Sequence, residues 1–331
     1  MAKTRWTVGI THLIEPPFEP EHKAFDGRAE FVHFDTRNEA DFDPQVLEQL
    51  DAMLVWTPVI SERTVQHLDR CRILVRYGVG YDRIDLEALA ARNIAFSNNP
   101  EYGPEDIADT AMAMILGLQR KIVEHDVKAR AYREIWQENI LKPVLHSKSA
   151  AVGIVGLGRI GSCLSQRLQP FGYRIIAYDP YLPDSRFAEL GVERVDSLEA
   201  LAEQVDILSM HCPITDETRG MINANIVARA RPGLIFVNTA RGALIDSLDM
   251  LEAALRSGQM AAAGLDVLPQ EPPADHPLIH AWRSAEAWLQ GRLLINPHNA
   301  FYSDESMARC RLNAAETARL FLEEEIHRNS V

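Results

Sequence analysis

The chain has 331 residues, 47% apolar and 24% charged, which suffices for the cores of two domains in an ordinary globular protein. A formal net charge of −13 argues against nucleic acid or an anionic membrane surface as partner, while a small anionic substrate in a local basic pocket stays open. No apolar run reaches the roughly 18 residues of a membrane span, and MAKTRWTVGITHL lacks the apolar stretch of a signal peptide.

The elements alternate from the start. WTVGIT, AEFVHF, DAMLVW, RILVRYG and IAFSN read as strands, and DPQVLEQL, ERTVQHLDR and IDLEALAARN read as helices between them. Such alternation predicts a parallel sheet with helices on both faces. One long helix is then predicted over PEDIADTAMAMILGLQRKIVEHDVKARA, with Pro104, Glu105 and Asp106 suited to its first turn. Its middle, Ala108 to Leu118, is apolar nearly all round, so it is expected to be buried between domains or in a dimer interface. A second alternating series follows, with strands AAVGIVG, RIIAYD, VDILSMHC, LIFVNTA, AAGLDV and LLINPH. The last segment, SDESMARCRLNAAETARLFLEEEIHRN, reads as one terminal helix that packs back on the first unit. No internal repeat is visible in the sequence. Cys71, Cys163, Cys212 and Cys310 form no CxxC pair, which fits reduced thiols in a cytoplasm.

AVGIVGLGRIGSCLSQRL places Gly156, Gly158 and Gly161 in G-x-G-x-x-G between an apolar strand and a helical pattern. Gly156 permits the tight turn, Gly158 lets a pyrophosphate approach the backbone, and Gly161 lets helix and strand pack closely. The diphosphate then sits on the helix N-terminus, at Arg159 and Ile160. Asp179, in RIIAYDPY, stands where an acidic residue accepts hydrogen bonds from the ribose hydroxyls, which favours NAD over NADP.

Three charged or titratable residues lie at later strand ends: Arg241 in NTARG, Glu271 in LDVLPQEPP and His298 in INPHNAFYS. Taken singly, each has a plainer alternative: Arg241 as a surface partner of Asp246, Glu271 as a solvated loop charge and His298 as a structural histidine. Ligands of open α/β sheets bind beyond the carboxyl ends of the strands, so the three can converge.

With GLGRIG, Asp179, HCP at His211 to Pro213, NTARG, DVLPQEP and PHNA in this order, the chain resembles the D-isomer-specific 2-hydroxyacid dehydrogenase family over nearly its whole length. VRYGVGYDRIDL and PHNAFYS look most like its C-terminal binding protein branch. The resemblance implies two Rossmann-like, doubly wound parallel-sheet domains with a cleft between them: a discontinuous substrate domain (1–102 and 301–331) and an NAD-binding domain (103–300) carrying the long helix of a homodimer. It implies NAD-linked interconversion of a 2-oxo acid and a D-2-hydroxy acid. Arg241 resembles the arginine that binds the substrate carboxylate, and a planar fork of donors suits that task. His298 resembles the general acid–base and Glu271 its orienting partner; histidine ordinarily titrates near neutrality, as a reversible proton carrier must.

By the same resemblance, His211, Cys212, Pro213, Thr218, Thr239, Ala240 and Asp266 border the cofactor, with Asp266 on the nicotinamide carboxamide. The amides of Val79 and Gly80, in the loop Tyr77-Gly78-Val79-Gly80, are implied donors to the substrate carboxylate. Arg76 is implied as a second substrate arginine, a salt bridge to Asp82 being its structural alternative, and Tyr102, Phe301 and Tyr302 as pocket walls. No metal is expected. The stretch between Glu271 and His298 is longer than the family pattern; its added segment, within 275–292, reads as a helix carrying Trp282 and Trp288. Rival readings are an NADH-sensing regulatory scaffold and a phosphite-type relative.

Overall fold

The computed structural model describes residues 5–132, 136, 141 and 143–331. In chain order its elements are β1 (Trp6–Thr11), α1 (Glu19–Phe25), β2 (Ala29–Phe34), α2 (Pro44–Leu47), β3 (Ala52–Val55), α3 (Glu62–Val65), β4 (Ile73–Arg76), α4 (Leu86–Ala91), β5 (Ala95–Ser97), α5 (Pro104–Gln119), α6 (Ile122–Arg130), β6 (Ala151–Val155), α7 (Arg159–Leu168), β7 (Arg174–Tyr178), α8 (Asp184–Leu190), β8 (Glu193–Arg194), α9 (Leu198–Ala202), β9 (Ile207–Met210), α10 (Ala224–Arg229), β10 (Leu234–Asn238), α11 (Leu248–Ser257), β11 (Met260–Leu265), α12 (Pro277–Arg283), β12 (Leu293–Ile295) and α13 (Asp304–Glu324). They divide into one compact unit of Met1–Gly103 with Tyr302–Val331 and another of Pro104–Phe301.

The first unit holds a parallel sheet in the order β2-β1-β3-β4-β5. The order reverses between β1 and β3, the doubly wound arrangement of flavodoxin type. α13 enters behind Ser303, whose hydroxyl accepts the Ser306 N–H at 3.0 Å. The expected terminal helix is shorter than its polar-apolar pattern: Glu325 adopts a left-handed φ of 57° and ends it. The tail then returns to β5, where the Ser97 hydroxyl donates to Arg328 O at 2.8 Å and Ser97 bridges Ser330.

The second unit holds a parallel sheet in the order β12-β11-β10-β9-β6-β7-β8, reversing between β6 and β9. Successive residues of β6 feed opposite faces: Ala151 and Val155 join the core under α9 to α11, while Val152 and Ile154 join the core under α5, α7 and α8. Burial on both faces is why these strands read as continuous apolar runs.

The predicted long helix is two helices. Lys121 takes a left-handed φ of 54° between α5 and α6, and α6 begins against Gly291, where an added Cβ would lie 2.7 Å from Glu124 N. The apolar face of α5 packs on its own unit, with Met114 and Leu118 against Gly264 of β11. Its other side, with Ala113, borders an apolar groove of about 600 Å³ that Trp282 and Leu293 also line.

In the added segment the helix is α12 alone, shorter than expected: it carries Trp282 but ends at Arg283, before Trp288, and is capped by His276, whose Nδ1 accepts the Leu278 N–H. The segment ends on Arg292, a half-buried guanidinium that donates to the carbonyls of Leu255, Ala261 and Trp288 at 2.7–2.8 Å and of Met260 at 3.1 Å. Replacing it strands several buried carbonyls. Arg292→Met is therefore expected to cost about 3 kcal/mol and lower Tm by roughly 5–10 °C, read by calorimetry.

Candidate active site

The glycine loop leaves β6 at Gly156 with φ 88°, open to glycine and strained for other residues. A Cβ there would meet Cys212 N at 2.8 Å, so the loop rests on the backbone at the end of β9. A Cβ on Gly161 would come 2.1 Å from Gly156 O, which fixes how closely α7 lies on its strand. Gly158 faces open space: nothing lies within 4 Å of its would-be Cβ, and it caps α7 without a side-chain acceptor. A cradle closed on two sides and open on the third, at the first turn of a helix, fits a diphosphate. Asp179 completes it: Oδ2 accepts the Leu157 N–H at 2.9 Å and Oδ1 the Tyr181 N–H at 3.1 Å.

His211 donates its backbone N–H to Val155 O, and its Nε2 pairs with the Ser209 hydroxyl at 2.8 Å. Its Nδ1 and the hydroxyl of Thr239 are buried without a partner. Two orphaned polar atoms, just past the ends of β9 and β10, suit a bound polar group better than a closed core. Burial pushes the His211 pKa down to about 3, so this ring is neutral and is no proton carrier at ordinary pH. Burial likewise pushes the Cys212 thiol up to about 12. Thr218 holds its own turn together, donating to Pro213 O at 2.7 Å and accepting from Thr215 N.

At the end of β10, Asn238 does a task that the motif alone did not announce. Its side chain accepts the Ala240 N–H at 3.0 Å and donates to Arg241 O at 2.9 Å, closing the turn on which Arg241 stands. The Arg241 guanidinium donates to Ala240 O at 2.7 Å. Gly242 is needed for contact rather than for φ: a Cβ there would sit 2.0 Å from Leu268 C and O. The arginine turn therefore lies backbone to backbone on the loop that carries Glu271.

Glu271 is held at both oxygens. Oε1 accepts the Leu268 N–H at 3.0 Å, and Oε2 pairs with His298 Nδ1 at 2.7 Å. His298 has φ 54°, a left-handed position that a non-glycine residue takes only when its neighbours enforce it. Asp266 enforces it. Its carbonyl accepts the His298 N–H at 2.9 Å, and its Oδ1 accepts the N–H groups of Asn299 and Ala300, each at 3.0 Å. Burial raises the Asp266 pKa, against the lowering pull of the Ala300 amide and His298. The second unit thus brings together Glu271, His298 and Asp266, and sets the Arg241 turn against the Glu271 loop.

The remaining expected residues lie in the first unit or at its boundary. Arg76 donates Nε to Gly80 O and Nη1 to Val55 O, both at 3.1 Å, and stacks near Trp56. Gly78 and Val79 follow it, the latter 40% exposed. Tyr77 corrects its expectation: its side chain is 0% exposed and its hydroxyl donates to the buried Glu21 at 3.0 Å, so the phenol belongs to the core and not to a substrate surface. The RYG motif gave no sign of this, because Glu21 lies far away in the sequence. Tyr102 is also buried, Phe301 is half-buried, and Tyr302 is exposed with its hydroxyl on Asp304. Among the described residues, one group of three possible metal ligands occurs, Glu15, His33 and Asp35 in the first unit. No described helix is long and apolar enough to cross a membrane.

Residues 112–300 match the family described as D-isomer specific 2-hydroxyacid dehydrogenase, NAD binding domain. The chain is 36% identical over 276 residues to D-3-phosphoglycerate dehydrogenase of Mycobacterium leprae, covering 83% of this chain and 49% of that protein. It spans about half the length of the first curated relatives it matches. It is 35% identical over 289 residues to glyoxylate reductase of Korarchaeum cryptofilum, covering 86% and 83% of the two chains. Its fold is similar to that of D-lactate dehydrogenase of Aquifex aeolicus, solved with NAD and lactic acid, with TM-score 0.86, 25% identity and 98% of each chain covered.

A buried neutral histidine must take up a proton when the chain unfolds. The folded pKa of His211 is depressed, so its contribution favours the fold above the ordinary value near 6.5 and is lost progressively as pH falls toward about 3. His211→Gln is expected to flatten the acid limb of a stability–pH curve measured by urea unfolding. An unchanged slope below pH 6.5 would show that the ring is not buried as described.

Proposed function

The chain belongs to the D-isomer specific 2-hydroxyacid dehydrogenase family, and on that premise we propose that it interconverts a 2-oxo acid and a D-2-hydroxy acid with NAD. The observation that carries this reading is the 2.7 Å contact of His298 Nδ1 with a carboxylate itself anchored on a backbone amide, in the unit that also holds the glycine cradle. We assign that unit to NAD and the other to substrate.

Bound nicotinamide supplies the hydride exchanged with the substrate's C2. The chain's own residues do the rest. Glu271 accepts the hydrogen bond of His298 Nδ1–H and so fixes the tautomer, which leaves Nε2 as the atom that gives a proton to the carbonyl oxygen in reduction and removes it in oxidation. The same carboxylate offsets the charge of the imidazolium. Arg241 offers its fork to the substrate carboxylate and steadies the developing alkoxide. Gly158, Arg159, Ile160 and Gly161 hold the diphosphate, and Asp179 the adenosine ribose. His211, Cys212, Pro213 and Thr218 border the adenosine half, Thr239 and Ala240 the nicotinamide half, and Asp266 takes the carboxamide with Oδ2.

The substrate loop is Gly78 to Gly80, with Arg76 beside it selecting a polar or anionic tail and Tyr102, Phe301 and Tyr302 as walls. The likeness to the C-terminal binding protein branch rests on VRYGVGYDRIDL and PHNAFYS. The relatives named for dehydrogenase and reductase activity favour catalysis over a scaffold. A cytoplasmic location is supported by four free thiols, and a homodimer on α5 by the family likeness.

His298→Ala should lower kcat by about 10²–10⁴-fold with little change in KM. Arg241→Ala should raise KM and lower kcat together, with NADH affinity intact. The assay is NADH or NADPH oxidation with 2-oxo acids from glyoxylate and pyruvate to hydroxypyruvate and phenylpyruvate. Tight NADH binding without turnover of any of these would sink the catalytic reading in favour of a sensor.

A further inference from the structure

The loop Tyr77-Gly78-Val79-Gly80 is held at every carbonyl. Tyr77 O accepts from the Cys310 thiol at 3.0 Å, Gly78 O from the Asn99 N–H at 3.2 Å, Val79 O from Asn98 Nδ2 at 2.8 Å and Gly80 O from Arg76 Nε at 3.1 Å. In a trans peptide the carbonyl and the next residue's N–H point in opposite directions. Each pinned carbonyl therefore turns one amide the other way: Gly78 O directs Val79 N–H, and Val79 O directs Gly80 N–H. Four successive carbonyls in the stretch are pinned. They specify the direction of a row of donors.

The supports are themselves bonded into the core. The Tyr77 phenol anchors the start of the loop on Glu21, a fully buried carboxylate that Arg311 grips with Nε at 2.9 Å and Nη2 at 2.7 Å. Asn99, 2% exposed, donates Nδ2 to Cys310 O, tying the loop's second support to α13. Among the pins, Asn98 is distinctive. It is half-buried, and its bond to Val79 O is the side-chain contact that orients the Val79–Gly80 peptide.

We propose that Asn98 is a positioning residue for the substrate carboxylate: by holding Val79 O it presents Gly80 N–H to a 2-oxo acid. The inference rests on the proposed dehydrogenase reading. Asn98 touches neither substrate nor cofactor; it acts through one peptide plane. A partly released peptide loses donor alignment, so carboxylate affinity falls while NAD binding, in the other unit, is untouched.

The test uses the full chain loaded with NADH, comparing wild type with Asn98→Ala and Asn98→Asp. The aspartate keeps the shape and replaces the donor by an acceptor facing a carbonyl. Oxamate, a non-reacting carboxylate analogue of a 2-oxo acid, is titrated by NADH fluorescence, and KM and kcat are measured with the best 2-oxo acid. The expected result is oxamate affinity about tenfold weaker for alanine, and weaker still for aspartate. KM should rise alongside, with NADH affinity within twofold and Tm nearly unchanged. Asn98→Gln, which keeps a side-chain donor, should recover part of the loss. A purely structural asparagine would lower Tm and leave oxamate affinity and KM where they were, which overturns the proposal. Wild-type protein that binds NADH but neither oxamate nor any 2-oxo acid overturns the reading of the loop itself, and this inference with it. An active wild type with unaffected variants overturns only the inference.

Discussion

The geometry at the carboxyl edge of the second unit's sheet depends on one buried carboxylate. Asp266 follows β11, its N–H donates to Asn238 O, its own carbonyl accepts the His298 N–H, and its Oδ1 takes two further amides. An ionised carboxylate away from water is costly unless hydrogen-bonded. Those amides offset the cost, and in doing so they force the chain after β12 into the left-handed turn at His298. That turn carries the imidazole to Glu271. The carboxylate therefore converts a desolvation penalty into a fixed backbone path. It also ties together the ends of β10, β11 and β12, which supply the arginine turn, the glutamate loop and the histidine.

Both units solve the start of their sheets in the same way. In the first, Asp51 accepts the Thr7 N–H on Oδ2 at 2.8 Å and returns its own N–H to Thr7 O. In the second, Asp206 accepts the Ala151 N–H on Oδ2 at 2.8 Å and returns its N–H to Ala151 O. Each aspartate precedes the strand lying across the switch point, β3 or β9. These closures satisfy an amide in the first two residues of β1 and of β6 and set the register of each central strand against its neighbour across the switch point. DAMLVW and VDILSM carry the aspartates in plain view, yet the sequence shows no repeat, because the shared feature is one residue in a pairing and not a run of identities.

What could be read from the sequence was whatever has a short period or a short motif. Apolar runs announced the strands, and the three glycines announced a turn, an open face and a close packing, all of which the structure displays at Gly156, Gly158 and Gly161. The pairing of His298 with Glu271 was legible only through resemblance, since no local rule brings together residues from two loops. Features set by contacts distant in sequence were illegible. The phenol of Tyr77 faces Glu21, the break at Lys121 answers to a turn at Gly291, and the end of α13 at Glu325 accompanies a tail pairing with β5. Asn238 and Gly242 lay between the two cases: their residue types suit a turn, but the need for them comes from the loop at Leu268 that presses on them.

The two units also orient their donors by different physics. At the glycine cradle the amides of α7 are left over by the helix itself, since the first turn has no intrahelical acceptors, and glycine merely keeps the approach open. At Tyr77 to Gly80 there is no helix to align anything. The direction of those amides has to be imposed peptide by peptide, by a thiol, a backbone amide, a carboxamide and a guanidinium gathered from β4, the segment after β5 and α13. The first arrangement tolerates side-chain changes around it, because the helix carries the information. The second concentrates that information in a few side chains, and a two-glycine loop without them has no preferred direction in which to donate.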